Sequence, residues 1–296
     1  MKNILSIALF LVFALSRAQG CSDAGICSAG NSFNVAEKEA KNNIEFGSIF
    51  GSGEADVTYF SPYITYTRKF TNRFALSTKV TYSQAQGSFG TRGQFGDAYL
   101  IGNYLWKTKK ITKWSTLIGA KFPFTRSNLK INGYSLPLDY QASLGTFDLI
   151  VGGNLNYKQW DFNAGLQVPI FDINANSYFK EYSGSTDFPS TNLFERKPDA
   201  LLRATYTYIH SKFTFKPNVL FLYHLGEDTY ENIFGKRETI NGSDGLTING
   251  NLITGYEINN KNSIELSLAT PFVVREIRPD GLTRSFTAGI IYKVSF

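Results

Sequence analysis

Arg73-Phe-Ala-Leu-Ser-Thr-Lys-Val-Thr-Tyr-Ser83 alternates from end to end. Phe74, Leu76, Thr78, Val80 and Tyr82 share one parity, and Ala75, Ser77, Lys79, Thr81 and Ser83 share the other. A two-residue period sends successive side chains to opposite faces of a β-strand. This stretch therefore has one apolar face and one polar face that carries a lysine.

The same pattern recurs on both sides of it. Ala98, Leu100, Gly102, Tyr104 and Trp106 oppose Asp97, Tyr99, Ile101 and Asn103. Trp114 to Phe124 places Ile118 and Phe122 against Leu117 and Lys121. Phe147 to Tyr157 and Trp160 to Ile170 follow, with Asp148 and Asp161 on their polar faces. Ala200–Tyr208, Phe213–Tyr223, Leu246–Ile258, Ile264–Phe272 and Phe286–Phe296 alternate likewise, and Ile44–Phe50 and Val57–Thr67 do so more weakly at the front. The total is about 12 strands, an even number, as single-chain bacterial barrels have.

The connections alternate as well. Phe70–Asn72, Lys107–Lys113, Lys158-Gln159, Ser211-Lys212 and Asn259–Asn262 are short. Gly87–Gln94, Arg126–Gly145, Asp172–Lys197, Gly226–Gly245 and Val274–Thr283 are mostly longer and polar. Short periplasmic turns and long external loops are the asymmetry of an outer-membrane barrel. Trp106, Trp114 and Trp160 all lie beside short turns on the apolar face, as one interfacial girdle requires. A soluble sandwich would also alternate, but its strands average about 5 or 6 residues; here the runs reach 10 to 13. Backbone edges cannot face lipid, so a membrane version must close on itself. The expected fold is all-β, a transmembrane antiparallel up-and-down β-barrel over 43–296.

The chain opens with Lys2, an apolar run from Ile4 to Leu15, and Ser16-Arg17-Ala18, which reads as an export signal over 1–18. The run is too short to span a bilayer as a helix. Loss of Lys2 and Arg17 lowers the formal charge from +6 to +4. That charge is spread without a basic cluster, which argues against a nucleic-acid partner. Residues 19–42 form a periplasmic segment or small plug that carries both cysteines, Cys21 and Cys27. In an oxidising compartment they suit a disulfide; lipidation of Cys21 and a redox role are the alternatives. Two thiols and Asp23 are too few for a metal site, and no cofactor is expected.

The inward parity carries Lys79, Asp97, Tyr99, Lys121, Asp148, Asp161, Asp199, Arg203, Lys216, Glu257, Glu265 and Lys293 as candidate pore-lining residues. Acids and bases nearly balance. They suit either a pore that orients a polar solute or cross-strand ion pairs that hold the wall. Asp97, Asp148 and Asp199 recur where strands descend from the outside. Such a ring would attract cations, although Asp also suits a turn.

Gly119-Ala-Lys-Phe-Pro123, Gly165-Leu-Gln-Val-Pro169 and Ser267-Leu-Ala-Thr-Pro271 place a small residue four before a proline at the outer end of rising strands. Proline cannot donate to a ladder and marks bulges or strand ends. These endings, on this architecture, resemble those of the long-chain fatty-acid transporter superfamily, including barrels linked to phenol meta-pathway degradation. The resemblance implies passage of apolar or aromatic solutes through breaks in the wall, with Pro123, Pro169 and Pro271 shaping a lateral exit into outer-membrane lipid. The final run to Phe296 resembles the signal read by the barrel-assembly machinery, which is the implied partner. Neither His210 nor His224 sits in a pattern like that of outer-membrane phospholipases, so no catalytic residue is assigned. A channel or transporter for a small-molecule solute is the expected function, and a structural or adhesive barrel is the alternative.

Overall fold

The computed structural model describes residues 20–21, 40–106, 111–281, 283–284 and 286–296. The expected export signal, Cys27 and the Cys21–Cys27 disulfide fall outside the described residues.

Twelve strands follow one another around a single sheet. They are β1 (Asn42–Ser52), β2 (Thr58–Lys69), β3 (Phe74–Gly87), β4 (Gly90–Leu105), β5 (Thr112–Pro123), β6 (Thr146–Tyr157) and β7 (Trp160–Asp172). Then come β8 (Asp199–Tyr206, resumed at Tyr208–His210), β9 (Phe213–His224), β10 (Gly245–Glu257), β11 (Asn262–Val273) and β12 (Phe286–Ser295). Each pairs antiparallel with its sequence neighbours, and β12 pairs with β1 from Phe286↔Ser52 to Ser295↔Asn43. Asn42 and Phe296 exchange backbone bonds of 2.9 Å in both directions below that pair. The sheet is therefore a closed barrel.

The alternation is realised as expected. On β5, Ile118 is 62% exposed while Leu117 and Lys121 are buried. Phe74, Leu100, Leu166, Phe221 and Leu266 are likewise exposed on the outer face. A water-soluble domain would bury such a belt, whereas hydrocarbon solvates it. Trp106, Trp114 and Trp160 point outward at the short-turn end, with Tyr104 and Tyr206 beside them at ring-centroid distances of 5.0 and 5.1 Å. They form the single girdle that their spacing implied.

One expected loop is absent. Gly87–Gln94 was to be an external connection, but β3 and β4 run through it and turn at Ser88-Phe89. Polar residues can extend a hairpin above the lipid, since there the outer face meets water. Gly90, at φ 97°, supplies the left-handed backbone that closes it.

Three register shifts mark the ladder among the described residues. They occur between Val80 and Tyr82 on β3, between Pro169 and Phe171 on β7, and between Ile248 and Asn249 on β10. Each adjoins one of the strand-ending prolines. Pro169 lies in the second, Pro271 pairs with Asn249 in the third, and Pro123 pairs with Asp97 of the bulged β4. A residue without an N–H relieves the ladder where one strand carries an extra residue.

Candidate functional site: the inner wall and the outer mouth

Two features cross the inner wall. The first is a row of direct cross-strand partners, Lys293↔Glu45↔Thr65↔Lys79↔Tyr99↔Lys121↔Asp148. Because strands tilt in a barrel, the row climbs from the short-turn end to the outer end. Lys293 Nζ lies 3.3 Å from Glu45 and 2.9 Å from Glu265, and Lys216 reaches Glu265 at 4.0 Å. Lys79 Nζ sits 4.0 Å above the Tyr63 ring and 6.0 Å from that of Tyr99. Lys121 Nζ bonds Asp148 and donates to Thr146 Oγ1, both at 2.8 Å. Glu45, which the sequence reading missed because β1 alternates weakly, supplies the acid beside Lys293. Asp161 accepts from Asn156 Nδ2 at 2.9 Å. Arg203 lines the same face of β8, while Glu257 stands exposed at the short-turn rim.

The second feature is apolar. Tyr99, Ile101, Leu117, Ile150, Leu201 and Leu220 pack together with Leu222. Gly119 and Gly165 pair with Ile101 and Leu201 across the ladder, so these larger side chains meet no bulk from their partners.

The outer mouth is built mainly by loops. Asp97, Asp148 and Asp199 do lie near it, but they are buried and committed to partners and do not form an open acidic ring. Ser143 Oγ donates to Asp97 at 2.6 Å. Asp148 holds Lys121 and also accepts from Gln167 Nε2. Asp199 takes Arg196 Nη2 at 2.6 Å and His224 Nδ1 at 2.7 Å. Buried carboxylates need such pairing, because isolation in low dielectric is costly.

From Asp199 the network spreads through three loops. His224 Nε2 lies 2.8 Å from Asp228 Oδ1. Asp228 also accepts from the Lys197 N–H at 2.8 Å, and its own N–H donates to Ser243 Oγ at 2.8 Å. Arg196 reaches Asp280 at 3.3 Å, and Arg275 joins Asp280 at 2.9 Å. Burial alone would raise the Asp280 carboxyl, but Arg275 and Arg196 together hold it well below the usual carboxylate range. Across the ring, Asp139 is buried in a short turn, Leu138–Tyr140, and burial pushes its carboxyl up to about 7. Its own backbone N–H opposes that rise and Asp280 adds to it.

Loops from opposite sides of the barrel touch over the mouth. Gly281, after β11, packs on Leu138 and Asp139, after β5; these strands are six places apart in the ring of twelve. A Cβ at Gly281 would lie 2.7 Å from both Cα and N of Asp139, and its φ is 60°. Two aromatic and aliphatic clusters support the crossing. Val57, Tyr59, Leu136, Tyr140, Tyr178 and Phe188 form one, and Leu138, Leu144, Phe194 and Ile240 the other. Beneath it lies a small polar cavity lined by Asp97, Lys121, Gln141, Ser143, Arg196 and Asp280. Gly281→Val should separate the two loops, since neither backbone can yield. We expect the loop after β5 to become cleavable by protease added outside intact vesicles. The heat-modifiable migration of a folded barrel should persist.

No family model matches the sequence, and no curated relative does. Among solved structures, the chain is similar to an outer membrane channel from Pseudomonas putida F1. The TM-score is 0.60 and the identity 12%, over 89% of this chain and 98% of that one. The translocator domain of autotransporter NalP from Neisseria meningitidis aligns at 0.50 and 9% identity, over 92% and 96%. The NanC porin aligns at 0.49 and 12%, over 86% and 98%. The likeness is one of fold, that of bacterial outer-membrane barrels, and does not single out the long-chain fatty-acid transporter superfamily.

Proposed function

We propose that this chain is an outer-membrane channel for small molecules, and that its solutes are apolar or aromatic. The carrying observation is the apolar strip from Tyr99 to Leu222 on the inner wall. These residues pack on one another and so also firm the wall, and an apolar solute that enters beside them gains about 25 cal/mol per Å² of its surface that leaves water. The three prolines at register shifts supply weak points at the outer end of the wall, where a missing ladder bond costs roughly 0.5–1.5 kcal/mol. Export by the signal over 1–18, a Cys21–Cys27 disulfide and assembly through the strand ending at Phe296 belong to the same reading. A structural barrel without transport is the second reading, favoured by the buried ion pairs that tie the loops over the mouth.

Reconstituted liposomes separate these readings. A channel should admit small aromatic solutes faster than sugars of similar size. Pro123→Val with Pro169→Val should slow the aromatic solute several-fold and leave ion conductance nearly unchanged. Asp97→Asn with Asp148→Asn should do the reverse if inner charges steer transport. Impermeability to every solute, in a correctly folded preparation, would leave the structural reading.

A further inference from the structure

The His224 network has a feature that transport by itself does not require. A neutral imidazole carries one donor and one acceptor nitrogen. Both nitrogens of His224 face carboxylate oxygens, Asp199 at 2.7 Å and Asp228 at 2.8 Å, in a site only 1% exposed. Both bonds can form only if the unit holds one proton more than a neutral ring beside two carboxylates, as the imidazolium between Asp199 and Asp228 does. Removal of one proton turns a lone pair toward a carboxylate in a buried site. The charged groups around it are Arg196 and Lys197 from the loop after β7, Asp228 from the loop after β9, and Arg275 and Asp280 from the loop after β11. Every loop of the network is therefore tied to the charge on this ring, the loop after β11 through Asp199 and Arg196 in turn.

We propose that the crossed loops form a pH-sensitive lid over the outer mouth, latched by the His224 imidazolium and released as the medium becomes alkaline. A second, separate group works in the same direction. Asp139 sits at the crossing itself, against Gly281 and near Asp280. A closed lid favours its protonated form, with the carboxyl at about 7 and not at its ordinary 3.8. Its sign follows from linkage: the open lid sheds this proton first, so the closed lid weakens as pH rises from 3.8 to about 7 and stays weakened above. The ring ends β9 and the carboxyl follows β5, four places away in the ring of twelve, yet both close the mouth in the protonated state.

The test reads lid position and conductance separately. Spin labels at Tyr134→Cys and Glu276→Cys, both exposed, report the distance across the mouth. Cys21 and Cys27 are changed to Ser in that chain. One narrow distance is expected at about pH 5.5 and a broad, longer distribution at about pH 9. His224→Gln should be broad at both. Asp139→Asn should stay narrow to higher pH than the parent, which a merely destabilised chain would not do. In planar bilayers the parent should conduct roughly tenfold more at the alkaline pH, a factor equivalent to about 1.4 kcal/mol. Distances that do not move with pH, or that move alike in the parent and in His224→Gln, overturn the lid. Distances that move without any conductance retain the lid and overturn the channel reading.

Discussion

Ile118→Arg should prevent most of the chain from inserting stably into bilayers, although Lys121, three residues along the same strand, is tolerated. Ile118 lies in the middle of β5 and faces outward. A guanidinium at the midplane of the lipid face costs about 2–4 kcal/mol. Lys121 instead faces inward, where Asp148 and Thr146 meet its amino group. Side-chain parity separates these fates, and hydrophobicity of the segment does not. Urea titration of the folded protein in liposomes should show the loss, while Ile118→Leu should be neutral. Equal stability of Ile118→Arg and the parent would mean that the outer face does not meet lipid.

Asp199→Ala should cost about 3–5 kcal/mol, the range for breaking a buried ion pair by removing one partner. It strips the shared carboxylate from Arg196 and His224, both buried. The loss should fall on the mouth and spare the barrel, because the loops open as a unit of their own. Hydrogen exchange should therefore rise across 186–198, 225–244 and 274–281, with little change in β1 to β4. Adding Arg196→Met should recover part of the stability, since a stranded charge is worse than no charge. A double variant no better than the single one would place the cost elsewhere.

The barrel was legible because its cause is local. Parity along each run assigned Lys121 inward and Ile118 outward without knowledge of the partners. The three proline endings pointed to the bulges because a proline's missing N–H is fixed by covalent structure. The mouth was hidden for the opposite reason. Arg196, His224, Asp228 and Asp280 come from a strand end and three irregular loops with no period to read. What joins them is burial and long-range packing. The three aspartates illustrate the limit: their position near the outer ends of strands was readable, but the cation beside Asp148 lies on β5, and the Asp199 partners lie in the loop after β7 and on β9. The hairpin at Ser88-Phe89 was missed because polar composition signals solvent and leaves pairing undetermined.

The seam between β12 and β1 carries backbone pairing of the same kind as any other junction in the ring. As a result no strand is expendable. Deleting one would not leave a slightly smaller object but two raw margins, each with a row of amide groups that hydrocarbon cannot solvate, at several kcal/mol apiece. The ring is thus an all-or-none unit, and partial versions of it have no stable place in a membrane.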